Sequence, residues 1–357
     1  MKVLVGMSGG VDSSVAAWLL KEQGHDVEGL SLVLFETRGR TDPRACCSLA
    51  SVEDAARTAE VIGIPHGSLD MRDEFISRVI EPFVQAYTMG LTPNPCVLCN
   101  REIKFPALLR EAQKRGTDLI ATGHYAMVER QGVGAALKKG ADAGKDQSYV
   151  LYALRPEELA RLVLPLGGLR KAQVREIAAA LGLPAAKRPE SQEICFVEAG
   201  DYPGFVSALE PSAEKPGPIY DMAGRRLGTH RGIFRYTVGQ RKGLGLASPE
   251  PLYVARIDAA ENAVFVGPRE AALSREFAVG EINWLVKKTE GFRAAVKVRS
   301  MMEAAAATVR PEGGRARVVY DKPQWAAAPG QSAVFYEGDA VLGGGVIQPS
   351  GARAPGG

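Results

Sequence analysis

Residues 1–14 read Met1-Lys2-Val3-Leu4-Val5-Gly6-Met7-Ser8-Gly9-Gly10-Val11-Asp12-Ser13-Ser14, an apolar run passing without a gap into a glycine–serine loop. Val3, Leu4 and Val5 make residues 2–7 a short strand buried on both faces. A helical pattern opens at once, with Val15, Ala16, Trp18, Leu19 and Leu20, and stops at Gly24. Strand, glycine turn and helix in succession is the context in which such a loop cradles phosphate. The glycines let the backbone approach an anion. The serine hydroxyls and the first helical amides then face it, and the helix dipole favours negative charge. Asp12 adds a carboxylate that would repel phosphate unless a divalent cation, Mg2+ above all, sat between them.

The spacing is not that of the Walker loop, which needs four residues between its first glycine and Gly-Lys-Ser/Thr. Ser8-Gly9-Gly10-Val11-Asp12-Ser13 resembles the PP-loop of the ATP pyrophosphatases. The resemblance implies cleavage of ATP between its α and β phosphates, with AMP transferred to a carbonyl oxygen.

The remaining chain sets the frame. Its 357 residues are enough for two or three domains. A net charge of +3 makes the overall field weak, so a polyanionic partner needs a local basic surface. The N-terminus reads as a buried strand rather than a signal peptide, and no apolar run reaches membrane-spanning length. The expectation is a cytoplasmic protein with no membrane partner. In that compartment the five cysteines point to catalysis or metal binding rather than structural disulfides.

Up to about residue 197 short apolar runs alternate with helical patterns. Strands are expected at 3–7, 27–35, 66–69 and 118–124, and helices at 11–23, 51–62, 72–89 and 100–115. Ser51 with Asp54 three residues on reads as a capping box opening the second helix. This alternation predicts an α/β fold with a doubly wound parallel sheet. Its ligands sit at the carboxyl ends of the strands, where Ser8–Ser13 and Thr122-Gly123-His124 both fall. His124 is equally a packing residue on this reading. Beyond Cys195 the texture changes to frequent proline and glycine. Residues 198–273 read as a small β-rich module carrying Gly239-Gln240-Arg241-Lys242-Gly243-Leu244-Gly245. Residues 274–348 read as a C-terminal β-barrel, with strands at 294–298, 316–320, 332–336 and 341–347. Residues 349–357 read as a disordered tail. The run Ala304–Ala307 has no evident role.

Three cysteines stand in unusual settings. Asn94-Pro95-Cys96-Val97-Leu98-Cys99-Asn100 places a C-x-x-C just before a helix expected to start near Arg101. Helix amides and nearby cations (Arg101, Lys104) stabilise a thiolate there. Cys195, in Ser191-Gln192-Glu193-Ile194-Cys195-Phe196, is open between a reactive thiol and a buried structural one. Cys46 and Cys47 are adjacent and do not suit joint ligation of one metal.

Taken together, these segments are similar to the tRNA-specific 2-thiouridylases over nearly the whole length. The likeness runs through Gly6-Met7-Ser8-Gly9-Gly10-Val11-Asp12-Ser13-Ser14-Val15, the 94–105 stretch, Ala121-Thr122-Gly123-His124-Tyr125 and Gly144-Lys145-Asp146-Gln147-Ser148-Tyr149. It continues through residues 191–196 and 236–245, then Pro329-Gly330-Gln331 and Leu342-Gly343-Gly344-Gly345. The resemblance implies that residues 6–13 (Gly6, Met7, Ser8, Gly9, Gly10, Val11, Asp12 and Ser13) hold ATP together with Leu32 and Gly123. It implies adenylation of the 2-carbonyl of the wobble uridine at position 34 of tRNA, Cys195 as persulfide carrier, and Cys99 as the partner thiol that ends in a transient disulfide. It implies that Asn94, Pro95 and Cys96 contact the target base, and that Lys145, Asp146, Gln147, Arg299 and Ser300 contact tRNA. The implied partners are tRNAs for Lys, Glu and Gln and a persulfide donor such as a cysteine desulfurase or sulfur-relay protein. A carbonyl oxygen leaves poorly until AMP is on it, and a second thiol can cleave an S–S bond by exchange.

Two positions depart from the family. Many members carry Asp where this chain has Cys96. Cys96, Cys99 and Cys195 are then enough thiolates to hold a [4Fe–4S] cluster with one open iron, against simple persulfide chemistry at Cys99 and Cys195. The second departure is Val298-Arg299-Ser300-Met301, where members read Arg-Tyr-Arg and only Arg299 survives. The lost aromatic and cation shift expected RNA contact toward Arg231, Arg235, Arg241 and Lys242. Two other functions stay open on the sequence. One is a PP-loop amidating ligase such as GMP synthetase or argininosuccinate synthetase, which needs no paired thiols. The other is a non-catalytic tRNA-binding or iron–sulfur protein, which has no need to keep Ser8, Asp12 and Ser13 together.

Overall fold

The opening strand, β1 (Lys2–Gly6), lies at the centre of a parallel sheet. A computed structural model describes residues 1–35, 49–132, 134–187 and 194–349. Cys46, Cys47, Ser191–Glu193 and residues 350–357 of the expected tail therefore lie outside the described residues. Two compact units are present. One comprises Met1–Ile80, Pro95–Gly200 and Asp339–Val341; the other comprises Glu81–Asn94, Asp201–Gly338 and the chain from Leu342.

In the first unit β1 is flanked by β2 (Asp26–Val33) and β4 (Leu119–Thr122). The edges are β3 (His66–Asp70) and the two-residue β7 (Leu162–Val163), giving the parallel order β3-β2-β1-β4-β7. Leu4 is fully buried on one face, and Val3 and Val5 on the other. That two-sided burial is why β1 carries an unbroken apolar run. Helix α1 (Val11–Glu22) packs Val15, Ala16, Ala17 and Leu20 against Val3 and Val5. Gly24, at φ +80°, ends it: its amide donates to the Lys21 carbonyl while the His25 amide donates to the Leu20 carbonyl. Glycine takes that left-handed position without a Cβ clash.

The second unit holds two β assemblies. A four-stranded sheet runs β10 (Tyr253–Asp258), β11 (Ala263–Gly267), β8 (Gly217–Asp221), β9 (Arg226–His230) around Ile219, Val254, Val264 and Val266. A six-stranded barrel runs β12 (Leu273–Trp284), β15 (Arg315–Trp325), β14 (Ala305–Glu312), β13 (Phe292–Lys297), β16 (Ser332–Glu337), β17 (Ala340–Ile347) and closes by β12–β17 pairing. The parallel α/β domain, β-rich module and C-terminal barrel are therefore all present.

Local departures have physical causes. Residues 305–307 of the alanine run open β14, where Ala307 is fully buried and pairs with Ala294, so a small side chain fits the barrel interior there. The second helix, α2 (Leu49–Ile62), already includes Leu49, so Ser51 is not its cap. The expected helices at 72–89 and 100–115 each contain a π-helical stretch, at Ile76–Ile80 and Cys99–Lys104, and the second run begins at Pro95. Proline suits a first helical position because its missing N–H would have no partner there.

Truncating the central strand tests this core. Leu4→Ala should cost about 2–5 kcal/mol of unfolding free energy, since it opens a cavity in a fully buried layer. A urea titration giving a change below about 0.5 kcal/mol, the scale of surface substitutions, would contradict that placement.

Candidate functional site

Three strand ends converge on residues 6–13. Gly6 sits beside Leu30 of β2 and Thr122 of β4 in the parallel register. The Met7 amide donates to the Leu30 carbonyl at 2.8 Å, and the Ser31 hydroxyl donates to the Met7 carbonyl at 2.8 Å. Candidate ATP-site residue Leu32 lies on the same strand end, buried. Gly123 follows β4 directly, and a Cβ there would fall 2.6 Å from Asp12 C and from Ser13 N. Gly9 has φ +70°, and a Cβ on it would lie 2.1 Å from the Ser51 carbonyl oxygen. The loop is thus gripped by backbone on both sides, which is why these positions are glycine.

Inside the loop the Ser8 amide donates to Ser13 Oγ at 3.1 Å, and the Ser8 and Ser13 hydroxyls lie 3.3 Å apart. Gly10 caps α1 in extended conformation, with no side chain bonded to the helix's first amides. These groups fit a phosphate chain: hydroxyls, close backbone and a helix N-terminus point at one place. Asp12 is only partly exposed. Its Oδ1 accepts from the Tyr125 hydroxyl at 2.7 Å and lies 2.6 Å from the ammonium of Lys171.

Lys171 was not among the residues picked from the sequence. It opens the helix Lys171–Ala180, α3 here, 159 positions from Asp12, and its side chain is 11% exposed. The only sequence trace is a lysine at the start of an amphipathic helix, which ordinarily marks a solvated face.

Of the candidate thiols, Cys96 is exposed while Cys99 and Cys195 are half-buried. Neither Cys96 nor Cys99 precedes its helix; Cys96 is the second residue of Pro95–Leu98 and Cys99 opens the π-helical turn. The Arg101 guanidinium pairs with Glu102 at 2.7 Å, so its charge is spoken for. The Asn100 side chain donates to the Val150 carbonyl at 3.1 Å and pins this turn. Cys99–Lys104 packs against the helical stretch Arg72–Ile80. Phe196, next to Cys195, meets Phe75 of that stretch edge-on at 5.6 Å. The turn that Cys99 opens and the residue after Cys195 therefore both contact one helical segment. Among the described residues no group of three or more His, Cys, Asp or Glu could hold a metal ion. The trio Cys96, Cys99 and Cys195 is therefore not assembled as such a group.

The cysteine helix reaches the nucleotide loop through Phe105, which stacks on the His124 ring at 6.0 Å. His124 Nδ1 and the Thr122 hydroxyl are 2.7 Å apart. Burial, then the charge of Lys104, holds the His124 pKa well below 6.5. The ring is neutral at pH 7, in keeping with a packing and hydrogen-bonding role.

The expected RNA contacts are less uniform. Asp146 accepts from the Gly140 and Ser148 amides and the Ser148 hydroxyl, all within 3.1 Å. Gln147 Oε1 accepts from the Tyr125 amide at 2.9 Å. Both side chains face inward; Lys145 is half-buried beside them. In the second unit an Arg299 Nη donates to the Val238 carbonyl at 2.8 Å, and Ser300 is half-buried. Arg235 pairs with Glu214 and donates to Ser207 Oγ, so the exposed members of its cluster are Arg231, Arg241 and Lys242. Asn94 is half-buried and Pro95 buried.

Two outcomes check this site. Gly123→Ala drives a methyl into the Asp12–Ser13 backbone, a strain of about 1–3 kcal/mol; nucleotide affinity should weaken roughly 5- to 150-fold with circular dichroism unchanged. Wild-type affinity in that variant would refute the close approach. For His124, the unfolded chain takes up a proton as pH falls through 6.5 while the folded chain does not. Its stabilisation is complete above pH 6.5 and drains away toward the lower folded value. His66 and His230, their pKa values also lowered by burial, act in the same sense. The thermal midpoint should fall between pH 7 and pH 5, and His124→Asn should make that slope shallower; an identical slope would exclude His124 as a contributor.

Known proteins share this chain's whole length. Residues 1–199 match the family model described as tRNA methyl transferase HUP domain. Residues 207–268 match its PRC-barrel domain, and residues 274–347 match the aminomethyltransferase beta-barrel domain. The tRNA-specific 2-thiouridylase MnmA of Geobacter metallireducens is 47% identical over 97% of this chain and 96% of its own. That of Moorella thermoacetica is 48% identical over 97% and 99%. Among solved structures, a 4-thiouridine synthetase–RNA complex with bound ATP has TM-score 0.35 at 18% identity, covering 59% of this chain and 50% of that one. With PP-loop, paired cysteines and full-length likeness together, this chain belongs to the tRNA-specific 2-thiouridylase family.

Proposed function

We propose that this protein is an ATP-dependent tRNA sulfurtransferase that converts the wobble uridine, position 34, to 2-thiouridine, releasing AMP and pyrophosphate. The observation that carries the reading is one unit holding a phosphate-fitting loop together with two cysteines whose neighbouring residues contact a single helical segment. An amidating ligase would have no use for those cysteines.

The chemistry follows from the residues. Ser8, Ser13 and the α1 amides hold the phosphates, with Leu32 and Gly123 lining the nucleotide. Mg2+ at Asp12 would offset phosphate charge and stabilise the leaving pyrophosphate. Asp12 can accept that cation once Lys171 turns from the carboxylate to the phosphate oxygens. Uridine O2 attacks the α-phosphorus and pyrophosphate leaves, making the oxygen a good leaving group. Cys195 carries the sulfur as a persulfide. The Cys99 thiolate attacks Cys195 Sγ, the outer S–S bond breaks, and the sulfide released attacks C2 as AMP departs. The resulting Cys99–Cys195 disulfide is reset by two electrons from an external dithiol. Asn94, Pro95 and Cys96 meet the target base, and Lys145, Arg299 and the exposed Arg231, Arg241 and Lys242 meet the RNA backbone. Segments 1–197, 198–273 and 274–348 divide the work into catalysis and two RNA-holding parts. The sulfur comes from a cysteine desulfurase or relay protein, the substrates are tRNAs for Lys, Glu and Gln, and the setting is cytoplasmic. Among the described residues no helix is long and apolar enough to cross a membrane.

Pyrophosphate release should depend on unmodified tRNA, and Asp12→Asn should abolish it while RNA binding persists. Cys99→Ser and Cys195→Ser should each abolish 2-thiouridine formation yet keep tRNA-dependent pyrophosphate release. ADP as the product, or 2-thiouridine made by either cysteine variant, would overturn the reading.

A further inference from the structure

Tyr125 has a grip at each end. Its hydroxyl donates to Asp12 Oδ1 at 2.7 Å, and its ring is 3% exposed beneath the Lys171 ammonium, which sits 5.5 Å from the ring centroid. Its backbone is held by Gln147 in both directions: the Tyr125 amide donates to Gln147 Oε1 at 2.9 Å, and the Gln147 amide donates to the Tyr125 carbonyl at 2.8 Å. Gly140 presses on the same carbonyl, where a Cβ would stand 2.7 Å away. Asp146 locks Gly140 to Ser148 through both carboxylate oxygens. Residues 140–148 thus form a bracket that Asp146 ties together and whose Gln147 side chain ends on Tyr125, and Tyr125 ends on the loop carboxylate.

We propose that Gln147 and Tyr125 are positioning residues for Asp12, so that the 140–148 bracket sets the metal and nucleotide affinity of the loop rather than gripping RNA through the Gln147 side chain. The inference rests on residues 6–13 being the ATP loop. A carboxylate that must take a divalent cation needs a fixed direction, and a phenol hydrogen bond fixes one oxygen without adding charge. Gln147 uses only its oxygen toward Tyr125, so an acceptor of the same length preserves the contact and a methyl does not. RNA seated on Lys145 would act on the same bracket, which gives the substrate a mechanical route to the loop.

The test measures two affinities separately. Binding of Mg2+ with α,β-methylene-ATP, which cannot be cleaved at the α–β bond, is followed by calorimetry across a magnesium series. Binding of an unmodified tRNA transcript is followed by fluorescence anisotropy without nucleotide. Gln147→Ala and Tyr125→Phe should each weaken nucleotide binding about tenfold, the scale of losing one hydrogen bond to a charged group, and each should raise the magnesium concentration at half-saturation. The double variant should be no worse than the weaker single, because both break one chain. Gln147→Glu should stay near wild type. Transcript affinity should be unchanged in all four. A loss of nucleotide affinity equal at every magnesium concentration would mark a merely structural role and overturn the proposal. So would a Gln147→Ala variant that loses RNA affinity and keeps nucleotide affinity, or full additivity in the double variant. If Gln147→Ala fails to fold, Tyr125→Phe decides by the same readouts. A wild-type chain that binds no nucleotide would instead bring down the ATP reading itself.

Discussion

The structure turns on a contact between two stretches of backbone. Gly123 comes so near to Asp12 and Ser13 that a single methyl cannot be accommodated between them. That approach is possible because β1 and β4 are adjacent and parallel, which delivers both strand ends to one level. Parallel strands need crossover connections, so α1 must start where β1 stops and its N-terminus is aimed at the same point. The placing of the serine hydroxyls, the first helix amides and the Asp12 carboxylate is a consequence of that geometry.

A carboxylate placed there creates an electrostatic problem. Asp12 is partly removed from water beside a helix N-terminus, and its counter-charge comes from Lys171, whose side chain is 11% exposed. Taking two charges out of water offsets most of their attraction, so such a pair adds little to stability and an apolar pair would often serve a fold better. The pair makes sense as a resting arrangement of groups that exchange partners when a polyanion and a divalent cation arrive together. Tyr125 complements it as a neutral donor that orients the carboxylate without competing for charge.

What was legible in the sequence was whatever is local. Val3, Leu4 and Val5 announced a strand buried on two faces, and Ser8–Ser13 announced the loop, because each depends on neighbours along the chain. Lys171 was invisible because it lies 159 positions from Asp12 along the chain and meets it only in the fold. Arg235 read as a candidate RNA contact for the same reason: Glu214, which takes it up, is 21 positions away. Ala304–Ala307 read as bias because the partner of Ala307 is Ala294 on the neighbouring strand, which the local sequence does not show. Ser51 read as a cap because Ser-x-x-Asp is a local pattern, yet its carbonyl is used at a distance, against Gly9. Asp146 and Gln147 were legible as a motif, but the direction their side chains face was not.

The cysteines show the same division. A cluster demands three thiolates converging on one point, each held at bonding distance from iron. A persulfide relay demands only that two sulfurs meet while a third partner comes and goes. The turn carrying Cys99 is pinned through Asn100 to Val150, and Cys195 is anchored by Phe196 against Phe75. The first anchor leads to the helix Ser148–Leu151 and the second to the helical stretch Arg72–Ile80, against which Cys99–Lys104 also packs. Cys96 shares its helix but stands exposed. An exposed position suits contact with an incoming base better than ligation inside a closed site. Cys96 in place of aspartate puts a thiol, rather than a carboxylate, on that exposed helical turn.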